Sequence, residues 1–143
     1  NPDAYRPFNL FIGDPQEAFW LRHDGTRIEV KLVPPGLHML TARELDDPQE
    51  PRIRHYLPQF RDAAPPDPET GEWHSWPELL GNRVAVPETE PTAAICFELE
   101  NGFGTRSSSL IAIPAYPGFG SKPEWLFASG APDREPFERI EIG

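Results

Sequence analysis

The sequence predicts an α+β domain, a mainly antiparallel sheet with short helices on one face. Three observations carry that prediction. Apolar residues alternate at period two on both sides of an Asp24-Gly25 turn, with Phe8, Leu10 and Ile12 before it and Ile28, Val30 and Leu32 after it. Ile53, Leu57 and Phe60 then recur at helical spacing. Strand-like segments return after residue 92. Strands, then helices, then strands is an α+β order and not an alternating α/β one.

Residues 1–41 read as a four-stranded meander. PFNLFIG is the first strand, and Asp14-Pro15 turns the chain into EAFWLRH. Asp24-Gly25 is a hairpin signal, because both residue types tolerate positive φ. RIEVKLV follows, with Ile28, Val30 and Leu32 on one face and Arg27, Glu29 and Lys31 toward water. Pro34-Pro35-Gly36 turns again, and LHMLT is the fourth strand. One face should be packed and the other solvated.

Residues 42–91 form a helical, proline-rich insertion. Pro51 suits a first helical turn, and Asp46 and Asp47 would complement its positive end. Pro58 interrupts the pattern and should kink or restart the helix. In SWPELLGN, Ser75 and Glu78 have capping-box spacing, Pro77 fits the first turn and Gly81 ends the helix. Trp73 and Trp76 read either as a ligand platform or, with most of their stabilisation from burial, as a clamp holding this helix to the sheet.

Residues 92–143 return to strands: TAAICFELE, SSSLIAIP, EWLFASG and FERIEIG. In the second, Leu110 and Ala112 lie on one face and Ile111 and Ile113 on the other. Apolar residues on both faces predict a central, covered strand.

Composition limits the functions available. The 143 residues make one domain or part of one. Acids outnumber bases 23 to 13, for a net charge of −10, which disfavours nucleic acid and anionic membrane surfaces. No apolar run reaches spanning length. A single cysteine, Cys96, excludes an intrachain disulfide and fits a reducing, cytoplasmic setting. Its apolar neighbours predict a buried, inert thiol. The 19 prolines predict short elements and many loops. The chain opens on Asn1, so an upstream segment of the same protein is expected.

Three stretches, YRPFNLFIGD, PPGLHMLTARELDDPQEPRI and GFGTRSSSLIAIP, together resemble the NRDE family, the one that includes transport and Golgi organization protein 2. Gly104 to Ser108 is the most specific part, and it resembles the family's C-terminal signature. The resemblance covers most of this chain but only the C-terminal part of the family's length. It implies an N-terminal nucleophile hydrolase-like αββα sandwich. It also implies binding or trafficking of haem or a similar apolar acidic metabolite. The alternative it implies is a cysteine-dependent amide or ester hydrolase whose nucleophile lies upstream. The family's terminal Met-Cys and its Asn-Arg-Asp-Glu motif are absent here, so no catalytic residue carries over to this chain.

The candidate ligand-binding residues are Arg106, Ser107, Thr105 and His38. The fork of donors on Arg106 suits a ligand carboxylate, or else an ion pair with a neighbouring acid. Ser107 and Ser109 share a strand face, yet no glycine follows the serines as a nucleophile elbow requires, so capping and strand-entry hydrogen bonds are the competing reading. His38, beside Met39, is either an iron or metal ligand or a packed, hydrogen-bonded residue. His23 and His74 read as loop or turn-edge residues.

Overall fold

A computed structural model describes residues 4–85, 89–115 and 122–142. The architecture is α+β, with two separate three-stranded antiparallel sheets and two short helices. The first sheet is β1 (Phe8–Gly13), β2 (Ala18–His23) and β3 (Ile28–Leu32), in that order. Helix α1 (Pro51–Asp62) and helix α2 (Trp76–Leu80) follow. The second sheet is β4 (Ser108–Ala112), β5 (Glu124–Ala128) and β6 (Glu138–Arg139). No helix among the described residues is long and apolar enough to cross a membrane.

Turn chemistry sets the first sheet's register. Asp14 Oδ1 accepts from the backbone N–H groups of Gln16 and Glu17 at 2.7 and 2.9 Å. Asp24 Oδ1 accepts from Thr26 and Arg27 backbone N–H, and Gly25 takes a φ of 104°. These bonds hold the Asp24 carboxyl well below the usual carboxylate range. Strand pairing then aligns Phe8 with His23 and Ile28, Leu10 with Leu21 and Val30, and Ile12 with Phe19 and Leu32.

The expectation about which face is packed is inverted. The apolar face lies open, with exposures from 41% at Phe8 to 62% at Leu32. The loop after β3 covers part of the opposite face instead, around Asn9, Trp20 and Arg22. Asn9 Nδ2 donates to the carbonyls of Thr41 and Arg43 at 2.7 and 2.8 Å. Glu44 pairs with both Arg22 and Lys31, and Trp20 is buried beneath the Lys31 ammonium. Alternation fixes which residues share a face. It does not say which face meets protein, and here the ion pairs and the Asn9 bonds recruit the loop to the charged side.

The fourth strand does not form. Residues 37–41 are irregular, because their polar bonds run to the Asp46 segment and not to a strand partner. TAAICFELE is likewise not a strand. A short 3₁₀ turn at Pro91–Ala93 leads into a hairpin-like loop with one bridge, Glu98 to Gly104. The last segment contributes only Glu138–Arg139. Strand β4 is an edge strand and not a central one. Leu110 is buried, whereas Ile111 is 60% exposed.

The core gathers around α1, whose inward stripe is Ile53, Tyr56, Leu57 and Phe60. Glu50, not Asp46 or Asp47, caps the helix by accepting from Ile53 N–H at 3.2 Å. The helix runs through Pro58, which sits on the exposed side. Helix α2 starts at Ser75 and stops at Gly81, as the spacing predicts, but the Ser75 side chain makes no capping bond. The tryptophan pair ties the layers together. Trp76 packs edge-on against Phe60 at 5.1 Å, and Trp73 Nε1 donates to Glu124 of β5 at 3.3 Å.

Candidate functional site

The Gly104-Thr105-Arg106 run is the returning arm of a tight hairpin. Gly102, at φ 80°, closes the turn by donating its N–H to the Leu99 carbonyl at 2.8 Å. Leu99 N–H then bonds Phe103, and Thr105 N–H bonds Phe97, both at 2.8 Å. Thr105 Oγ1 accepts from Phe97 N–H at 3.2 Å. Gly104 is required here because a Cβ would strike the Phe97 carbonyl and come within 2.7 Å of Glu98 Cα.

This hairpin and the loop after β5 enclose a cleft of about 280 Å³, lined by Thr105, Arg106, Ser129, Arg134, Glu98 and Glu135 among others. The Arg106 guanidinium folds back onto the Gly102 carbonyl. Among the described residues no carboxylate pairs with it. Arg134 is held by Glu98 at 2.8 Å. Phe103, 63% exposed, stands on the same turn and offers an apolar surface beside the cleft. The arrangement can grip a small acid end through Arg106 and meet an apolar body outside.

The four predicted ligand residues are divided between two places. Thr105 and Arg106 line this cleft, and Ser107 is exposed between them and β4. His38 lines a separate groove of about 650 Å³, with Pro34, Pro35, Phe11 and Trp76. There His38 Nδ1 meets Asp46 Oδ2 at 2.6 Å and Nε2 meets the Pro34 carbonyl at 2.8 Å. Both acceptors draw a proton onto the ring, and the Asp46 bond raises its pKa. Neither nitrogen is left for a metal in this arrangement. Among the described residues no group of three or more His, Cys, Asp and Glu gathers as a metal site.

Cys96 is fully buried, as its neighbours predict. Its thiol donates to Asp133 Oδ1 at 3.4 Å. Burial first, and then the Asp133 carboxylate, push its pKa up. Asp133 is in turn held below its usual range by Arg83. A cysteine held in this way is a poor nucleophile.

Some residues of the cleft were not legible beforehand. Ser129, Arg134 and Glu135 lie on the loop SGAPDRE after β5, and their only sequence signal is a polar run closing a strand. His23 is also misplaced by sequence reading. It is the last residue of β2, 2% exposed, stacked on Phe8 at 5.5 Å, with neither ring nitrogen bonded among the described residues. Ser109, read as a strand-entry residue, accepts from Trp125 Nε1 at 3.2 Å.

Compared with protein-family models, with curated proteins and with solved structures, the chain matches none.

Proposed function

We propose that this chain is the C-terminal part of an NRDE-family protein and binds an apolar metabolite carrying a carboxylate, of which haem is one example. The observation that carries the reading is Arg106, a guanidinium without an acidic partner among the described residues of a chain of net charge −10, lining a cleft beside exposed Phe103. The cleft lies below the usual 300 Å³ or so of a drug-sized pocket. It therefore takes the acid end of the ligand, and the apolar body rests on the Phe103 side. The chain's acidic surface favours such a small molecule over a phosphate backbone. A reducing, cytoplasmic compartment suits the free, buried Cys96.

The second sheet supports the larger αββα frame. Ile111 and Ile113 stand exposed, with Trp125 and Phe127 on the same face across the β4–β5 register. An upstream segment of the same protein is the proposed cover for that face. The alternative within the same resemblance is amide or ester hydrolysis by an upstream cysteine, with the Arg106 cleft lining the substrate pocket. In either case Cys96 is a spectator.

The test is a titration of the full-length protein with haem and with a simple apolar carboxylate, followed by absorbance and calorimetry. Arg106→Ala should weaken binding at least tenfold, which is about 1.4 kcal/mol, and Arg106→Lys should weaken it less. Unchanged circular dichroism separates lost recognition from a loosened turn. Equal affinity in the wild type and Arg106→Ala would remove the site assignment.

A further inference from the structure

We infer that the open apolar face of the first sheet is a self-association surface that takes a second copy of this chain. The inference is independent of the ligand cleft. Six side chains, Phe8, Leu10, Ile12, Ile28, Val30 and Leu32, stand between 41% and 62% exposed on one continuous face. Patches of this kind on soluble proteins mark interaction sites, whereas singly scattered apolar residues do not.

The occupant follows from charge and area. The three rows of this face are apolar except for His23, which is 2% exposed and stacked on Phe8. The sheet's ionic groups, Arg22, Glu29 and Lys31, all project from the opposite side and are paired there. With His23 buried, the face exposes no charged group that would select a charged partner. A net charge of −10 disfavours an anionic bilayer as the cover. A three-stranded face that exposes only apolar side chains can instead pack against the same face of a second copy. A two-fold axis near Leu21, at the centre of the middle row, would lay one copy's rows over the other's, as in aligned sheet packing.

The area is sufficient. Six side chains of roughly 150–200 Å² each, about half exposed, would on complete coverage bury up to roughly 550 Å² per copy and about 1,100 Å² for the pair. That exceeds the ~1,000 Å² expected of a biological interface, before the half-buried Phe19 and Leu21 between them are counted.

Sedimentation of this 143-residue chain at micromolar concentrations tests this directly. The expected species has twice the 16.1 kDa chain mass. Leu10→Lys and Val30→Glu, made separately, should each give monomer. Their circular dichroism and unfolding midpoint should match those of the dissociated wild type, since both side chains are half exposed in a single copy. Ile111→Glu, on the other sheet, should leave the dimer intact. The inference fails if the wild type stays monomeric throughout, or stays monomeric yet floats with neutral or anionic vesicles. It fails if the dimer survives both variants, or if Ile111→Glu dissociates it equally. Unfolding of both variants would also overturn it, by showing that the face is packed within one copy.

Discussion

His38 Nδ1 sits 2.6 Å from Asp46 Oδ2, and that contact favours the protonated imidazole and ties the loop to Asp46. Asp46 adopts a φ of 56°, costly for a non-glycine residue, and its other oxygen accepts from Met39 N–H at 2.7 Å. The strain is offset by three local bonds, because Asp46 N–H also donates to the Met39 carbonyl at 2.9 Å.

The pH dependence follows from the direction of the His38 shift. Hydrogen bonding to Asp46 raises its folded pKa above the ordinary 6.5. The imidazolium's contribution to stability is therefore complete below about pH 6.5, where the unfolded histidine is protonated too, and is lost as pH rises through the folded value. The unfolding midpoint should fall on going from about pH 6 to about pH 8.5, with a component absent in His38→Gln. Titrating the ring protons by NMR checks the premise, and a midpoint at or below 6.5 would contradict it. Asp46→Asn, which tolerates the left-handed backbone, should cost less than Asp46→Ala by about 1 kcal/mol.

The hairpin that presents Arg106 makes a second prediction. Gly104 has no room for a Cβ, because the obstacle is the backbone of Phe97 and Glu98 and not a flexible side chain. Gly104→Ala should destabilise by about 2–3 kcal/mol in chemical denaturation. At Gly102 the difficulty is φ and not space, so Gly102→Ala should cost about 1–2 kcal/mol and Gly102→Asn less. Equal costs at the two positions would mean that the turn yields and that Arg106 is not rigidly held.

Local chemistry was legible in the sequence, and long-range pairing was not. The Asp14 and Asp24 turns, Pro51 at the start of α1 and Gly81 at the end of α2 all follow from bonds made within four residues. LHMLT and TAAICFELE have strand-like composition, but their polar partners lie elsewhere in the fold. Asp46 claims the backbone beside His38, and Asn82 accepts the Cys96 N–H at 2.9 Å. The candidate site divides in the same way. Thr105 and Arg106 are visible as a glycine-bracketed turn, whereas Arg134 and Ser129 join them only because β5 pairs with β4.

Strand β4 separates what alternation predicts from what it does not. Leu110 and Ile111 are adjacent and similarly apolar, yet one is 3% and the other 60% exposed. The Leu110 face belongs with the helical layer, where Trp73 reaches Glu124 on the same side of the sheet. Leu110→Ala should therefore open a cavity and cost about 2–4 kcal/mol. Ile111→Ala removes surface already in water and should stay within about 0.5 kcal/mol. Denaturation of the isolated chain measures both. Comparable losses at the two positions would mean that the strand is covered on both sides, as its composition suggests. A large difference would leave the Ile111 side as a face that only additional protein can bury.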